Sequence, residues 1–230
     1  MIVAIHQPNF LPWLGFFHKM ASCDIFVFLD NVQFTKRSIQ NRNKIKTAKG
    51  PMWLTVPVAT KGRYFQRTQD VEINNEQNWR ETQWKAIVQN YRRARYFDDY
   101  AEPLEKIYSE NWSSLVELNA ATIRMLQDAL EIKPKCVFAS QLEVAGHRTE
   151  LLINLCQALG GDTYLSGPSG RKYMDEASFS ERGIGLLYRD FNHPEYDQLY
   201  PPFVPDLSAL DMVLNCGPKS REILLEGDLS

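Results

Sequence analysis

Four residues near the N-terminus carry side chains that can bind or activate a ligand: His6, Gln7, Asn9 and Trp13. The imidazole can take up or release a proton, the two amides can donate and accept hydrogen bonds, and the indole offers a ring for stacking. These residues directly follow an apolar segment, residues 2–5, which predicts a buried strand. The alternatives are that Asn9 caps a helix and that Trp13 fills the hydrophobic core.

A second polar stretch follows residues 25–29, which are all apolar and predict another buried strand. Asp30 ends this strand, and we therefore expect its carboxylate at the same edge of the sheet as His6. The stretch continues with three cations and an amide: Lys36, Arg37, Asn41 and Arg42. Because guanidinium groups bind phosphate or carboxylate with paired hydrogen bonds, the stretch predicts an anion-binding segment. A solvated basic loop is the ordinary alternative.

A Gly-Pro-Ser-Gly loop lies between a predicted strand, residues 162–165, and a predicted helix, residues 173–179. Glycine allows a close approach of the backbone, and successive amides before a helix can hold an anion. The candidate anion-binding residues here are Gly167, Ser169, Gly170, Arg171 and Tyr173. In a parallel sheet this loop faces the same crevice as His6, which favours one shared site over a plain capped turn.

The C-terminal part of the sequence adds one further catalytic candidate, His193. The following proline restricts its backbone to extended geometry, and an imidazole fixed in this way can serve as a general base. The alternative is a packed or surface histidine. Ser208 and Asp211 have the spacing of a helix capping box rather than of a catalytic pair. His18 and His147 lack supporting neighbours and are not site candidates.

The order of strands and helices predicts an α/β protein with a doubly wound, mostly parallel, Rossmann-like sheet in a single domain, residues 1–230. Strands are predicted at residues 2–5, 25–29, 136–139, 162–165 and 183–188, with an edge strand at 53–58. Helices are predicted at residues 13–21 and 149–159, the latter capped by Thr149. Helical periodicity predicts an insertion at about residues 76–132, and a Pro- and aromatic-rich segment occupies about residues 191–230.

The composition excludes several classes of function. The 230 residues include 26 Lys and Arg against 28 Asp and Glu, so no global positive field attracts nucleic acid or an anionic membrane. No apolar run approaches the roughly 20 residues of a membrane span, and no signal peptide is recognised, so a cytoplasmic protein is expected. The four cysteines are not spaced as metal ligands and are expected in the core, and we predict no metal site.

The first strand and the loop after it resemble those of the HxGH nucleotidyltransferases, in which two histidines flanking a glycine hold the triphosphate. The equivalent stretch here runs from Trp13 to Phe16, and aromatic residues replace both histidines. The resemblance therefore implies a similar architecture, while the missing histidine pair argues against nucleotidyl transfer.

Five segments follow one another along the chain: HQPNFLPWLGFFHKM, DIFVFLDNVQFTKRSIQNRNKIK, WLTVPV, YLSGPSGRKYMD and FNHPEYDQ. In this combination they resemble the WbqC-like family, and the resemblance spans almost the whole chain. Members occur among genes for bacterial O-antigen and related surface polysaccharides. The resemblance therefore implies modification of a sugar or transfer of an acyl group during glycan assembly, and it carries over no catalytic residues.

Together these features predict a transferase whose small-molecule substrate is phosphorylated or nucleotide-linked, or an acyl-activated intermediate. Either His6 or His193 accepts a proton in this hypothesis, and Asp30 orients the histidine or binds a hydroxyl group. The predicted anion clamps are Arg37, Arg42 and Arg171. The alternative is a non-catalytic accessory protein that binds a nucleotide or sugar in a degenerate site, and nucleotidyl transfer is a third. The sequence predicts neither a cofactor nor an oligomeric state.

Overall fold

A parallel five-stranded sheet forms the centre of the structure, a computed structural model that describes residues 1–226. In chain order the strands are β1 (Ile2–His6), β2 (Ile25–Phe28), β3 (Arg42–Thr47), β4 (Gly50–Thr55), β5 (Lys135–Phe138), β6 (Thr163–Ser166) and β7 (Gly185–Tyr188). The central sheet has the order β5-β2-β1-β6-β7, and all four of its strand pairings are parallel. The predicted α/β fold with a mostly parallel sheet is thus confirmed.

Helices cover both faces of this sheet. They are α1 (Leu14–Ala21), α2 (Trp79–Tyr91), α3 (Phe97–Ser109), α4 (Leu115–Ala129), α5 (Thr149–Ala158), α6 (Glu176–Glu181), α7 (Ala209–Cys216) and α8 (Ser220–Glu226). Because successive strand residues point to opposite faces, Val3 and Ile5 pack with α5 and α6, whereas Ala4 packs in the larger core with α1, α4 and α7. Burial on both faces explains why the strands are continuously apolar.

The chain reverses its winding direction beside β1. From β1 it runs through α1 to β2 and onward to β5 on one side, and it later enters β6 on the other side of β1. The segments that follow β1 and β6 therefore diverge at the carboxyl edge of the sheet. Open α/β sheets bind their ligands at such a point, because the diverging loops leave a crevice between them.

The basic stretch after β2 is partly a β-hairpin and not a continuous loop. β3 and β4 pair antiparallel and form a separate two-stranded sheet, so the predicted strand at residues 53–58 does not lie at an edge of the central sheet. The guanidinium of Arg42 lies 4.4 Å from the centre of the Trp53 ring, and the ammonium of Lys44 lies 5.1 Å from it. These two cations stack on one hairpin face because residues two apart share a face.

Two local predictions are wrong: the N-cap residue of α5 and the start of the helix after β6. Helix α5 begins at Thr149 itself, and Arg148 is its N-cap residue without a capping side chain. The segment after β6 continues as a 3-10 helix, Pro168–Lys172, and α6 starts only at Glu176 behind the capping carboxylate of Asp175. Proline at the start of the 3-10 helix favours this early turn, because its φ angle is already helical.

A buried polar network ties the C-terminal segment to the rest of the fold. The carboxylate of Asp211, in α7, accepts hydrogen bonds from the hydroxyls of Tyr91 (2.6 Å) and Tyr196 (2.9 Å). The Tyr91 hydroxyl accepts one from the backbone amide of Lys46 (2.7 Å), and the Lys46 ammonium group donates to the carbonyl of Pro202. Burial raises the pKa of Asp211 and lowers that of Lys46. The carboxylate therefore connects β3, α2 and α7.

Ser208 caps α7 by accepting a hydrogen bond from the amide of Leu210 (3.2 Å), as predicted. The reciprocal half of the capping box is absent, because the Asp211 carboxylate binds the two tyrosines instead.

Cys156 is buried, but Cys136 is exposed on the edge strand β5, contrary to the expectation that all cysteines lie in the core.

Candidate functional site

A cavity of about 750 Å³ opens at the carboxyl edge of the sheet, where the chain leaves β1 and β6. His6 and Gln7 line it at the end of β1, and Ser166, Gly167 and Ser169 line it at the end of β6. The structure thus brings together two segments that lie about 160 residues apart in the sequence. The volume falls within the usual range of roughly 300–1,000 Å³ for small-molecule sites.

Three cationic side chains contribute to the lining of the cavity. Lys19, Arg148 and Arg189 line it, and no Asp or Glu is found among the described lining residues. Arg189 follows β7, and its backbone amide donates to the carbonyl of Ser166 (3.0 Å), which fixes it beside the β6 segment. The partly buried Lys19 and the exposed Arg148 favour a ligand with negative charge.

Lys19 projects from α1 across the end of β1. Its ammonium group donates a hydrogen bond to the carbonyl oxygen of Ile5 (2.8 Å) and lies 5.9 Å from the centre of the Tyr164 ring. Burial lowers the pKa of Lys19 to about 8, because a buried ammonium loses hydration. Lys19 is therefore mostly charged at neutral pH and titrates in the weakly alkaline range.

His6 stands next to Lys19 and is held in one orientation. Its Nδ1 atom lies 2.9 Å from the carbonyl oxygen of Gln7, and its ring packs edge-on against Phe16. A carbonyl only accepts, so in the neutral imidazole Nδ1 carries the proton and Nε2 carries the free lone pair. Burial, followed by the positive charge of Lys19, lowers the pKa of His6 to about 4. His6 is therefore neutral at physiological pH.

The low pKa of His6 predicts a loss of stability in mild acid. Between pH 6.5 and 4 the unfolded chain binds a proton at this site that the folded protein does not, so the free energy of unfolding falls as the pH decreases. We expect His6→Asn to reduce this fall by about 2 kcal/mol between pH 7.5 and 5. Urea unfolding of both proteins at the two pH values measures it, and identical pH dependences would contradict the assignment.

Two helices begin at the cavity, and neither has a capping side chain. Trp13 is the N-cap residue of α1 and Arg148 that of α5, and the side chain of neither accepts a hydrogen bond from its helix. The cavity is lined at these two ends by Gly15 and by Leu151 and Leu152. The first amides of a helix carry partial positive charge, which adds to that of the nearby cations.

Arg148 adopts a backbone conformation that non-glycine residues avoid. Its φ and ψ angles are 51° and −128°. Such a conformation costs on the order of 1–3 kcal/mol and persists where the surrounding structure enforces it, often at ligand-binding positions.

Replacing Arg148 with glycine is expected to raise stability while it weakens anion binding. Relief of the strain outweighs the greater entropy of glycine in the unfolded chain, with a net gain of about 1 kcal/mol and a rise in Tm of about 2–4 °C. We expect the affinity for pyrophosphate to fall about tenfold, because the guanidinium group that binds it is lost. Arg148→Ala is the control: it retains the strain, so it should lose affinity without gaining stability. A lower Tm for Arg148→Gly would contradict this account.

Aromatic rings form the walls of the cavity. Trp13 and Phe191 pack edge-on with ring centres 5.4 Å apart, and Tyr164 and the exposed Tyr173 stand on the β6 side. The Trp13 ring lies directly on Gly15: a Cβ atom there would come within 2.4 Å of it. Glycine is therefore required for the indole to reach this position. Such rings suit a planar base or the apolar face of a sugar.

Asp30 does not line this cavity, which corrects its predicted role. Its carboxylate oxygens accept hydrogen bonds from the backbone amide (2.9 Å) and the hydroxyl (2.6 Å) of Ser140. Asp30 does end β2 at the expected edge, but its side chain turns toward the segment after the neighbouring strand β5. Its carboxylate therefore anchors that segment.

The other residues predicted from the second polar stretch also lie elsewhere. Lys36 and Arg37 are exposed, and the Lys36 ammonium group stacks on Tyr64. Asn41 is buried and donates to the carbonyl of Val56 (2.9 Å). Arg42 stacks on the hairpin, as described above. None of the three cations of this stretch is among the described residues that line the cavity.

Two residues of the N-terminal motif have different surroundings. Gln7 lines the cavity and accepts a hydrogen bond from the amide of Gln40 (2.6 Å), which joins the β1 segment to the basic stretch. Asn9 is buried away from the cavity, and its Nδ2 atom has no partner among the described residues. It caps no helix, because Trp13 holds the N-cap position of α1.

The Gly-Pro-Ser-Gly loop contributes only part of its predicted residues. Gly167, Ser169 and Tyr173 line the cavity, whereas Gly170 is buried below it. A Cβ atom at Gly170 would lie 2.1 Å from the hydroxyl of Ser166, so only glycine fits there. Arg171 forms a salt bridge with Asp190 (2.8 Å) outside the cavity.

His193 lies in an aromatic cluster and does not line the cavity. Its ring contacts those of Phe191, Tyr196 and Phe203, and Nδ1 lies 2.9 Å from the carbonyl of Pro194. Within the described part of the chain its Nε2 atom is buried without a partner. Phe191 lines the cavity and contacts His193, which is not itself among the described lining residues. The surroundings of His193 are those of the packed histidine that the sequence offered as the alternative.

Sequence reasoning missed the cations of the site. Arg189 directly follows β7 and could have been found by the rule that ligands bind at the carboxyl ends of parallel strands. Lys19 lies inside a helix and Arg148 precedes one, and only the packing of α1 and α5 against the sheet brings them together. His18, which had no supporting neighbours in the sequence, also lines the cavity and packs against Phe191.

Residues 1–226 contain neither a cluster of metal ligands nor a membrane-spanning helix. No cluster of three or more His, Cys, Asp or Glu side chains in this part of the chain is placed as a set of metal ligands. No helix in the same range is long and apolar enough to span a bilayer.

Comparisons with known proteins agree with the motif pattern. The family model described as the WbqC-like protein family matches residues 7–223. The chain is 38% identical over 224 residues to an uncharacterized protein of Mycobacterium tuberculosis, Rv1507c, and the match covers 96% of each chain. No solved structure matches the chain significantly, so the architectural resemblance to HxGH nucleotidyltransferases stays a prediction.

Proposed function

Because the chain belongs to the WbqC-like protein family, we propose that it is a transferase of bacterial surface polysaccharide assembly, including that of O-antigen. Its substrate in this proposal is a nucleotide-linked or acyl-activated intermediate, and the reaction takes place in the cytoplasm. The observation that carries the proposal is the cavity at the divergence of β1 and β6, which Lys19 and Arg148 line together with His6. A ligand with a phosphate group is the natural complement of such a site.

The arrangement of His6 and Lys19 supports group transfer. In the proposed reaction the acceptor's oxygen or nitrogen bonds to the transferred group while the bond to the phosphate-bearing leaving group breaks. Nε2 of His6 accepts the proton that the acceptor loses, and Lys19 and Arg148 stabilise the charge that develops on the leaving group. A bound phosphate raises the pKa of His6 toward neutrality, because a nearby negative charge favours the imidazolium form.

A second candidate function is a non-catalytic module that binds the same class of ligand. One observation favours it: the pKa of about 4 makes His6 a weak base. The predicted resemblance to the HxGH enzymes adds an argument, because aromatic residues replace both histidines of their motif in this sequence. In this case Lys19, Arg148 and the aromatic walls hold the ligand without chemical change.

A turnover assay separates these functions. The protein is incubated with nucleotide sugars and acyl donors together with amino-sugar and hydroxyl acceptors, and products are followed by mass spectrometry. Transfer by the wild type that falls at least 100-fold in His6→Ala, with ligand binding retained, supports the enzyme. Binding without conversion supports the module, and release of pyrophosphate from a nucleoside triphosphate would indicate nucleotidyl transfer instead.

A further inference from the structure

A second cavity of about 560 Å³ adjoins the first along the carboxyl edge of the sheet. Val32, Arg148 and Leu151 line both cavities, so the two spaces border on the same side chains. The second cavity lies beyond the end of β2 and is closed by the segment before α5. A ligand held at Arg148 in the first cavity can therefore extend into the second.

The second cavity differs from the first in its chemistry. The amides of Asn31 and Gln33, the guanidinium of Arg67 and the imidazole of His147 line it, together with the ring of Phe65. That ring is 84% exposed, which is unusual for a phenylalanine. Side-chain amides and a guanidinium hydrogen-bond to hydroxyl groups, and an exposed ring can pack against an apolar ring face.

An unpaired hydrogen-bond acceptor indicates that the second cavity binds hydroxyl groups and not a second phosphate. The Oδ1 atom of Asn31, which lines the second cavity, is buried and has no hydrogen-bond donor among residues 1–226. An unpaired buried acceptor costs free energy until a donor reaches it. A phosphate dianion has no proton to donate, whereas a hydroxyl group has one.

From this arrangement we propose that the two cavities form one site for a sugar nucleotide. Its phosphates lie between Lys19 and Arg148, its base lies against the aromatic walls of the first cavity, and its hydroxyl-bearing sugar lies in the second against Phe65. This inference rests on the proposed function, and it selects the nucleotide-linked substrate over the acyl-activated one. Arg148 is the junction residue, and this position explains why its strained backbone is kept.

Two neighbouring aromatic residues provide a matched pair of variants. Phe65 lines the second cavity, whereas Tyr64, 70% exposed, stacks under Lys36 and lines neither cavity. Because both side chains are exposed, replacement of either with alanine leaves the core intact. Any difference between Phe65→Ala and Tyr64→Ala therefore reports on the second cavity.

Calorimetry with the full-length protein tests the inference. The probes are the diphosphates of uridine, guanosine, adenosine and thymidine, each bare and carrying glucose, N-acetylglucosamine or a 6-deoxyhexose, and acetyl-coenzyme A. We expect at least one attached sugar to tighten binding fivefold or more. Phe65→Ala should abolish this gain without changing the affinity for the bare diphosphate, and Tyr64→Ala should retain the gain.

Three results would overturn the inference: no sugar tightens binding, both alanine variants lose the gain equally, or acetyl-coenzyme A binds in place of the sugar nucleotides. In the first two cases bare diphosphates still bind, and the proposed function stands. Failure of every diphosphate and of acetyl-coenzyme A to bind would instead remove the anion site on which the proposed function depends.

Discussion

Replacing Lys19 with methionine is expected to weaken the binding of pyrophosphate or a nucleoside diphosphate by about 10- to 100-fold. The ammonium group lies at the end of β1 between His6 and Tyr164, and its loss leaves the first cavity without its most enclosed cation. Methionine has a similar length and removes the cost of burying a charge, so we expect the Tm to stay equal or rise. Calorimetry and thermal unfolding measure the two effects.

The pKa of Lys19 also predicts how affinity depends on pH. Since burial lowers this pKa to about 8, the free protein loses the ammonium charge between about pH 7 and 9, and the dissociation constant of an anion rises over this range. Lys19→Arg is the matched control, because a guanidinium keeps its charge at these pH values. We expect this variant to bind well with a flat pH profile. A wild-type profile that is equally flat would show that Lys19 does not bind the anion.

Replacing Asp211 with alanine is expected to destabilise the fold by about 3 kcal/mol. The variant leaves the buried hydroxyls of Tyr91 and Tyr196 without their acceptor, and Lys46 loses the negative charge of Asp211 that favours its ammonium form. Because this carboxylate joins the C-terminal segment to β3 and α2, we expect that segment to become susceptible to protease. Urea unfolding and limited proteolysis provide the measurements.

Asp211→Asn serves as the control for this prediction. Its amide oxygen still accepts a hydrogen bond from one tyrosine, so the loss of stability should be about half that of the alanine variant. Pyrophosphate binding should be unchanged in Asp211→Asn, because the network does not line the first cavity. Equal stability of the wild type and Asp211→Ala would show that the network contributes nothing to folding.

The polar residues of β3 show where sequence patterns fail. Its sequence, Arg-Asn-Lys-Ile-Lys-Thr, has no apolar alternation, and yet Asn43, Ile45 and Lys46 are buried. The Asn43 amide donates to the carbonyl of Leu11 (2.6 Å), and Lys46 joins the network of Asp211. These polar side chains are satisfied by distant partners, so a pattern based on hydrophobicity predicts a solvated loop.

The local sequence determined the strands of the central sheet, the α1 crossover and the glycine-rich loop, because apolar runs and turn residues act over a few neighbouring positions. It also placed His6 and Gly167 at the carboxyl edge of the sheet, because parallel strands all end at the same edge. Only the tertiary structure decided which charges face the cavity. The Asp30 carboxylate accepts a hydrogen bond from Ser140, and the Arg42 guanidinium stacks on Trp53. The packing of α1 and α5 against the sheet places Lys19 and Arg148 at the cavity. The direction of a side chain depends on partners far away in the chain, and spacing along the sequence does not encode them.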